Sequence, residues 1–258
     1  VTILISTLCV HACMKKSRSS EYVSMEDYSE DPKHTEPNIF FVWVGRRPSQ
    51  KYLDQIKKAV ATAKIQNPKH KIWLYSNLIT GAEVSCTVKP VNYIRLYADS
   101  PVSTVKIGPD GECPKGWKSI HPALWSDLFR LVLLWKYGGS YVDVDDVFIR
   151  PIPEGKNRFA ACAIQDNSES REYQGGISGK YLEDRKEYKW RFGNDPMVNV
   201  ERGNPFLKEL MIRICKNPPD VWGQILPTRI FKENPSKWRS SVTPTPWHDL
   251  LYHPKHDG

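Results

Sequence analysis

The sequence predicts an α/β fold, and three segments carry that prediction. Residues 39–45 form an apolar run that ends in glycine, which is typical of a buried strand. Residues 48–65 place apolar side chains at helical spacing, and residues 71–76 predict the next strand. A strand, a helix and a second strand open a Rossmann-like nucleotide-binding unit. With 258 residues and 40% hydrophobic content, the chain is long enough to bury one sizeable core.

A second helix is predicted from Pro122 to Tyr137. Proline suits the first helical position, and Gly138-Gly139 suits the end of the helix. Its apolar residues run almost all the way round, which predicts burial. It nevertheless carries three polar side chains at spacings that let them meet on one face: Ser126, Asp127 and Arg130. This polar stripe either forms an internal ion pair that fixes the packing or borders a ligand pocket.

The segment after the two glycines, Tyr141–Asp146, predicts a strand that carries acids. On a strand, Tyr141, Asp143 and Asp145 share one side, while the two valines between them take the other. Carboxylate oxygens suit Mg²⁺ or Mn²⁺, and a cation held there can clamp a phosphate. The pattern therefore predicts a metal-dependent reaction on a phosphorylated or nucleotide-activated substrate.

These two segments together resemble the sugar-binding region of the Asp-x-Asp glycosyltransferases. The matching residues are Ser-Asp-Leu-Phe-Arg at 126–130 and Tyr-Gly-Gly-Ser-Tyr-Val-Asp-Val-Asp at 137–145. The superfamily includes yeast-type α-1,6-mannosyltransferases, α-1,4-glycosyltransferases and the clostridial glucosylating toxins. The resemblance implies a single domain of the GT-A type, with a central mixed sheet flanked by helices, and a nucleotide-sugar donor.

The first strand resembles the same superfamily, above all its toxin-like branch. Ile39–Gly45 is similar to the form Ile-His-Phe-Ile-Trp-Val-Gly, with Phe40 in the place of the histidine. The resemblance implies that Trp43 stacks on the nucleotide base and that Val44 also contacts the donor. Judged by its residues alone, Trp43 is equally well a core aromatic.

The resemblance also assigns roles around the acidic motif. It implies that Asp145 coordinates Mn²⁺ or Mg²⁺, and that Asp143 contacts ribose or sugar hydroxyls or reaches the metal through water. It implies that four further residues bind the donor: Ser126, Asp127, Arg130 and Tyr141. Asp127 and Arg130 would hold the donor sugar, and Arg130 would also help to neutralise phosphate.

A later block, Gly193–Val200, resembles the part of the superfamily where an asparagine precedes an apolar strand. It implies that Asn194 and Asp195 lie beside the donor sugar or the acceptor, so they join the two motif aspartates as candidate catalytic residues. Asn204 is expected to cap a helix over residues 205–216.

The C-terminal tail holds the remaining candidate ligands. In relatives, a C-terminal histidine or a Ser-x-Trp element closes the metal site, which by resemblance makes His253 or His256 a ligand. The alternative is a frayed tail in which neither histidine has a role.

We therefore expect a metal-dependent, retaining glycosyltransferase that uses a nucleotide sugar. A UDP-sugar is favoured and GDP-mannose is the alternative donor, while the acceptor is a glycan, a lipid or a protein. A haloacid-dehalogenase-type phosphatase is a rival, because Asp143-Val144-Asp145-Asp146-Val147 also fits its opening motif. A non-catalytic relative that binds sugar nucleotides is the third option.

The chain divides into three predicted parts. Residues 1–14 are an apolar leader or a partial signal anchor, shorter than the roughly 20 residues that span a bilayer. Residues 15–37 are a polar stem or linker, and residues 38–258 are the glycosyltransferase-like domain. Membrane association would come from the leader. A Golgi or secretory membrane is the favoured location, with a cytosolic or host-delivered protein as the alternative.

Charge and cysteines add two expectations. The formal net charge is +8, but the basic residues are scattered among acids, so no nucleic-acid partner is expected. Cys86 and Cys113 either form a disulfide, if the domain is secretory, or remain two ordinary thiols.

Overall fold

The central feature of the fold is a seven-stranded sheet of mixed direction. The computed structural model describes residues 31–91, 121–163, 190–216, 225–245 and 250–252. The strands are β1 (Asn38–Trp43), β2 (Lys71–Ser76), β3 (Thr87–Lys89), β4 (Gly139–Tyr141), β5 (Val147–Phe148), β6 (Arg158–Ala163), β7 (Trp190–Val200), β8 (Thr243–Thr245) and β9 (Leu251–Tyr252). The helices are α1 (Gln50–Gln66), α2 (Gly81–Val84), α3 (Pro122–Tyr137), α4 (Pro205–Ile214), α5 (Ile225–Glu233) and α6 (Pro235–Trp238).

The strand order in the large sheet is β3-β2-β1-β4-β7-β6-β8, and β5 pairs with β9 separately. The strands from β3 to β4 run parallel, whereas β7 is antiparallel to both β4 and β6. This mixed sheet confirms the predicted α/β class. The chain leaves β1 towards β2 on one side and reaches β4 on the other. Such a reversal opens a crevice at the carboxyl ends of the two strands, where ligands of α/β sheets bind.

The sheet is buried on both faces, which explains why β1 is apolar throughout. Ile39 and Phe41 pack in one core layer together with the inner face of α1. Phe40 and Val42 point the opposite way, into a second layer formed with α3, α4 and α5. Neighbouring strand residues alternate between the faces, so one strand supplies both layers.

Helix α3 has the predicted bounds, and its end depends on glycine. Gly138 and Gly139 have φ angles of +70° and +101°, which are unfavourable for residues with a side chain. A Cβ on Gly139 would lie 2.7 Å from the carbonyl oxygen of Asn38. The missing side chain therefore lets β4 lie against β1 immediately after the helix.

The acidic motif does not continue the strand, and this corrects the sequence prediction. β4 ends at Tyr141, and the following residues turn, with the Asp146 amide donating to the Asp143 carbonyl at 3.2 Å. Alternation of side chains therefore does not place Asp143 and Asp145 on one face of a strand. The motif lies in a turn at the edge of the sheet instead.

Other predictions hold with small shifts. The helix predicted over 48–65 runs from Gln50 to Gln66, and the helix predicted over 205–216 ends at Ile214. Asn204 caps that helix as predicted, because its side chain accepts hydrogen bonds from the amides of Phe206 and Leu207. Within the part of the chain that the structure describes, no helix is long and apolar enough to cross a membrane.

The structure answers the question about the cysteine pair but not the questions about the termini. Cys86 is a free thiol, so it does not form the bridge to Cys113 that the sequence left open. The leader, most of the stem and the two C-terminal histidines lie outside the described residues.

Gly139→Ala should lower the free energy of unfolding by about 2 kcal/mol or more, because the new methyl group meets the Asn38 carbonyl in a backbone conformation that alanine disfavours. Gly203→Ala is the matched control. Gly203 also has a positive φ, +73°, but nothing lies within 4 Å of its added Cβ. Urea unfolding of both variants measures the difference, and equal losses would show that the close approach to β1 contributes nothing.

Candidate functional site

The candidate site lies where β1 and β4 end and α3 begins. A Cβ on Gly45 would lie 3.0 Å from the Pro122 side chain, so the chain leaving β1 passes directly against the start of α3. The turn of the acidic motif follows β4 at the same edge of the sheet. Three separate segments are thereby brought to the crevice that the strand order predicts.

The Arg130 guanidinium is the hub of the site. Its Nη2 lies 3.0 Å from Asp127 Oδ1 and 3.1 Å from Asp143 Oδ1. The residue is only 4% exposed, and it also donates to the Ser126 carbonyl at 3.3 Å. The internal ion pair left open by the sequence is therefore present, and it extends to the acidic motif.

The charge of Arg130 is stabilised by its surroundings. Burial alone would lower its pKa, but Asp143 and Asp127 raise it, and the net pKa lies above the ordinary value. The guanidinium carbon also lies 4.3 Å from the ring centroid of Tyr141, a cation–π contact. A buried cation with two carboxylates and an aromatic face is well compensated, and its removal would take the shared positive charge away from Asp127 and Asp143.

Tyr141 binds the Asp143 carboxylate from the buried side of the site. It is 1% exposed, and its hydroxyl donates to Asp143 Oδ1 at 2.6 Å. Burial raises the pKa of Tyr141, which keeps the hydroxyl a neutral donor. One oxygen of Asp143 is thus held by both Tyr141 and Arg130, and this fixes the orientation of the carboxylate.

Asp195 reaches the same turn from β7. Its Oδ1 accepts a hydrogen bond from the Asp143 amide at 2.7 Å. Its carboxyl also hydrogen-bonds with that of Asp146, which is only 5% exposed. Removal from water, followed by the nearby charges of Asp143 and Asp146, raises the pKa of Asp195 well above the ordinary range.

The aromatic candidate at the end of β1 is held in place. Trp43 is half-buried, and its indole Nε1 donates to the Arg46 carbonyl at 2.9 Å. Its ring lies 5.8 Å from that of Tyr52, which is 40% exposed. The neighbouring Val44 packs against the core layer that contains α3.

The structure brings together six of the predicted site residues through these direct contacts: Ser126, Asp127, Arg130, Tyr141, Asp143 and Asp195. Asn194 precedes Asp195 in β7, and its side chain is outside the description, as are His253 and His256. Sequence reasoning missed Asp146 as a partner of Asp195. The doubled aspartate was visible, but nothing in the chain indicated its contact with a strand fifty residues later.

The motif carboxylates fit a hard divalent cation. Within the described ranges, no group of three or more His, Cys, Asp or Glu is arranged to hold a metal ion. Mg²⁺ and similar ions, however, commonly take only one or two protein carboxylates and complete their shell with water and substrate phosphates. Asp143 and Asp145 are both partly exposed in one turn, so they provide the oxygen donors that such a site requires.

Comparison with known proteins gives three findings. Residues 6–167 match the family described as "Glycosyltransferase sugar-binding region containing DXD motif". A stretch of 79 residues is 38% identical to human alpha-1,4-N-acetylglucosaminyltransferase, covering 31% of this chain and 22% of that protein's length. The solved PaToxG glycosyltransferase structure matches with a TM-score of 0.49 and 17% identity, over 80% of this chain and 72% of that one.

Arg130→Met should lower the free energy of unfolding by about 1.5–3 kcal/mol, because the partly exposed Asp127 and Asp143 lose their charge-assisted hydrogen bonds to the buried cation. Arg213→Met is the control. Arg213 also pairs with two acids, Glu209 and Glu233, but at the surface, where the loss should stay below about 1 kcal/mol. Chemical denaturation checks both, and comparable losses would contradict the role of Arg130 as a buried hub.

Asp195→Asn should change how stability depends on pH. The folded state holds the proton of Asp195 at a pH where the unfolded chain has released it, so this group lowers stability as pH rises from about 4 towards its folded pKa. The slope reaches about 1.4 kcal/mol per pH unit for one proton. Asparagine has no such proton.

The stability of the Asp195→Asn variant relative to the unmodified protein should therefore increase with pH. Urea unfolding between pH 5 and 8, with a chelator in all samples, measures this difference. Parallel stability curves would show that the Asp195 carboxyl titrates normally.

Proposed function

Because the chain belongs to the glycosyltransferase family defined by a sugar-binding region with a DXD motif, we propose that it is a metal-dependent, retaining glycosyltransferase that uses a nucleotide-sugar donor. One observation carries the proposal. The Asp143 carboxylate is held by Tyr141 and Arg130 at the crevice formed by the carboxyl ends of β1 and β4, and Asp145 lies in the same turn. The family match favours this function over the phosphatase alternative.

Asp145, assisted by Asp143, would hold Mn²⁺ or Mg²⁺. When bound, such a cation stabilises negative charge on the departing nucleoside diphosphate. The protein's own contribution is orientation. Tyr141 and Arg130 hold Asp143 before any ligand arrives, so little reorganisation is needed when the donor binds.

The donor sugar would be held by carboxylates rather than by the guanidinium itself. The side chain of Asp143 is 35% exposed and that of Asp127 is 17% exposed, whereas the Arg130 side chain is 5% exposed. The two acids can therefore accept hydrogen bonds from sugar hydroxyls at the crevice. Arg130 orients both acids from beneath, which refines the direct sugar contact and the contribution to phosphate neutralisation that the sequence predicted for it.

Trp43 would stack on the nucleotide base. The hydrogen bond from its indole to the Arg46 carbonyl fixes the ring plane, which limits the entropy lost when a base binds. We propose a UDP-sugar as donor, with GDP-mannose as the alternative. The similarity to an N-acetylglucosaminyltransferase makes UDP-N-acetylglucosamine the first donor to test.

The acceptor would be a glycan, a lipid or a protein, and the location a Golgi or secretory membrane. Cys215 is disulfide-bonded, and disulfides persist in oxidising compartments, which supports the secretory route. Membrane association would come from the N-terminal segment.

Asp145→Asn should lower the rate of donor turnover by about 100-fold or more, because the motif loses a carboxylate ligand of the cation. The purified protein is incubated with Mn²⁺ and a panel of UDP- and GDP-sugars, and release of the nucleoside diphosphate is measured. Asp54→Asn is the control, because Asp54 lies on the exposed face of α1. The chelated protein should behave like Asp145→Asn.

Two outcomes would contradict the proposed function. One is full activity in the Asp145→Asn variant or in the presence of a chelator. The other is the absence of release from every donor while simple phosphoesters are hydrolysed, which would favour the phosphatase.

A further inference from the structure

Past the last pair of the β4–β7 ladder, a side chain accepts the hydrogen bond from one main-chain amide. Tyr141 of β4 is paired with Met197 of β7. Beyond this point the Asp143 amide donates to a side chain, Asp195 Oδ1, at 2.7 Å.

Asp195 contacts the motif turn at both ends. One contact is the Asp143 amide at the start of the turn, and the other is the carboxyl of Asp146 at its end. Asp145 lies between these two points. The turn also closes on itself, through the hydrogen bond from the Asp146 amide to the Asp143 carbonyl. A single side chain from β7 therefore braces the whole turn.

This contact complements the one that holds the Asp143 side chain. Tyr141 and Arg130 fix the carboxylate of Asp143, while Asp195 fixes its main chain. A side chain whose backbone is free to move is not held in a defined position by carboxylate contacts alone. Both supports are needed to place the motif oxygens within the tolerance of about 0.5 Å that a binding site demands.

We propose that Asp195 is a positioning residue of the donor site, whose carboxyl braces the Asp143–Asp146 turn and so sets the direction of the two motif carboxylates. This inference rests on the proposed function. It replaces the expectation that Asp195 acts directly on the sugar or the acceptor, because the contacts of its carboxyl are directed to the turn.

The test compares Asp195→Asn with Asp195→Ala in the full chain. Asparagine keeps an acceptor for the Asp143 amide and supplies an amide donor to Asp146, so it preserves the brace, whereas alanine removes it. Asp195→Ala should raise the Mn²⁺ concentration for half-maximal donor hydrolysis by about 10-fold or more and lower kcat. Asp195→Asn should stay within about 3-fold of the unmodified protein.

Asn157→Ala controls for a general loss of stability. Asn157 bonds Glu201, Asn204 and the Ser240 carbonyl near the end of β7 remote from Asp195, so its removal should destabilise the protein without changing the Mn²⁺ requirement. If Asp195→Ala does not fold, Asp195→Ser serves in its place, because a serine hydroxyl is too short to reach both ends of the turn.

The brace would be overturned if Asp195→Asn were as inactive as Asp195→Ala, since that requires a direct chemical role for the carboxyl. It would also be overturned if Asn157→Ala changed the Mn²⁺ requirement equally.

Mn²⁺ binding measured by electron paramagnetic resonance separates this inference from the proposed function. Binding weakened by Asp195→Ala but not by Asp195→Asn, in a protein that turns over no donor, would support the brace and contradict the transferase. Equal Mn²⁺ binding in all variants would overturn the brace.

Discussion

The buried guanidinium of Arg130 is the interaction on which the site depends. A cation removed from water is stable only when carboxylates and hydrogen-bond acceptors surround it, and this one has Asp127 on its own helix and Asp143 on the following turn. The requirement to compensate one charge thus joins α3 to the segment after β4. The helix cannot shift relative to the turn without exposing an unpaired charge in the core.

In this arrangement, the residues that hold the Asp143 carboxylate in place are different from those that are accessible to a ligand. The buried polar groups of Arg130 and Tyr141 meet the Asp143 carboxylate, while the carboxylates of Asp127 and Asp143 remain partly accessible. Preorganisation of this kind places the cost of ordering the site in the folding reaction instead of in the binding step. The low exposure of the supporting residues also excludes water from the ion pairs and strengthens them.

Much of the fold was predictable because its signals are local. The bounds of α3 follow from Pro122 and the two glycines, and the Asn204 cap follows from a polar residue placed before a proline-led helix. The motif turn was not predictable in the same way. An apolar–acidic alternation favours a strand, whereas in the structure the strand ends at Tyr141 and the Asp143 amide bonds the side chain of Asp195. Likewise, the pairing of Asp146 with Asp195 depends on tertiary packing that no local pattern encodes.

The burial of α3 has a consequence for how the protein moves. Its residues from Leu128 to Leu134 are all buried, and they join the core layer that also holds β1, β4, α4 and α5. A helix packed in this way cannot open locally, so its amide hydrogens should exchange with solvent only when the whole domain unfolds. Helix α3, which carries Asp127 and Arg130, should therefore remain folded for as long as the domain does. Among the described residues, adjustment to a bound ligand is therefore expected from the side chains at the rim of the crevice and not from α3.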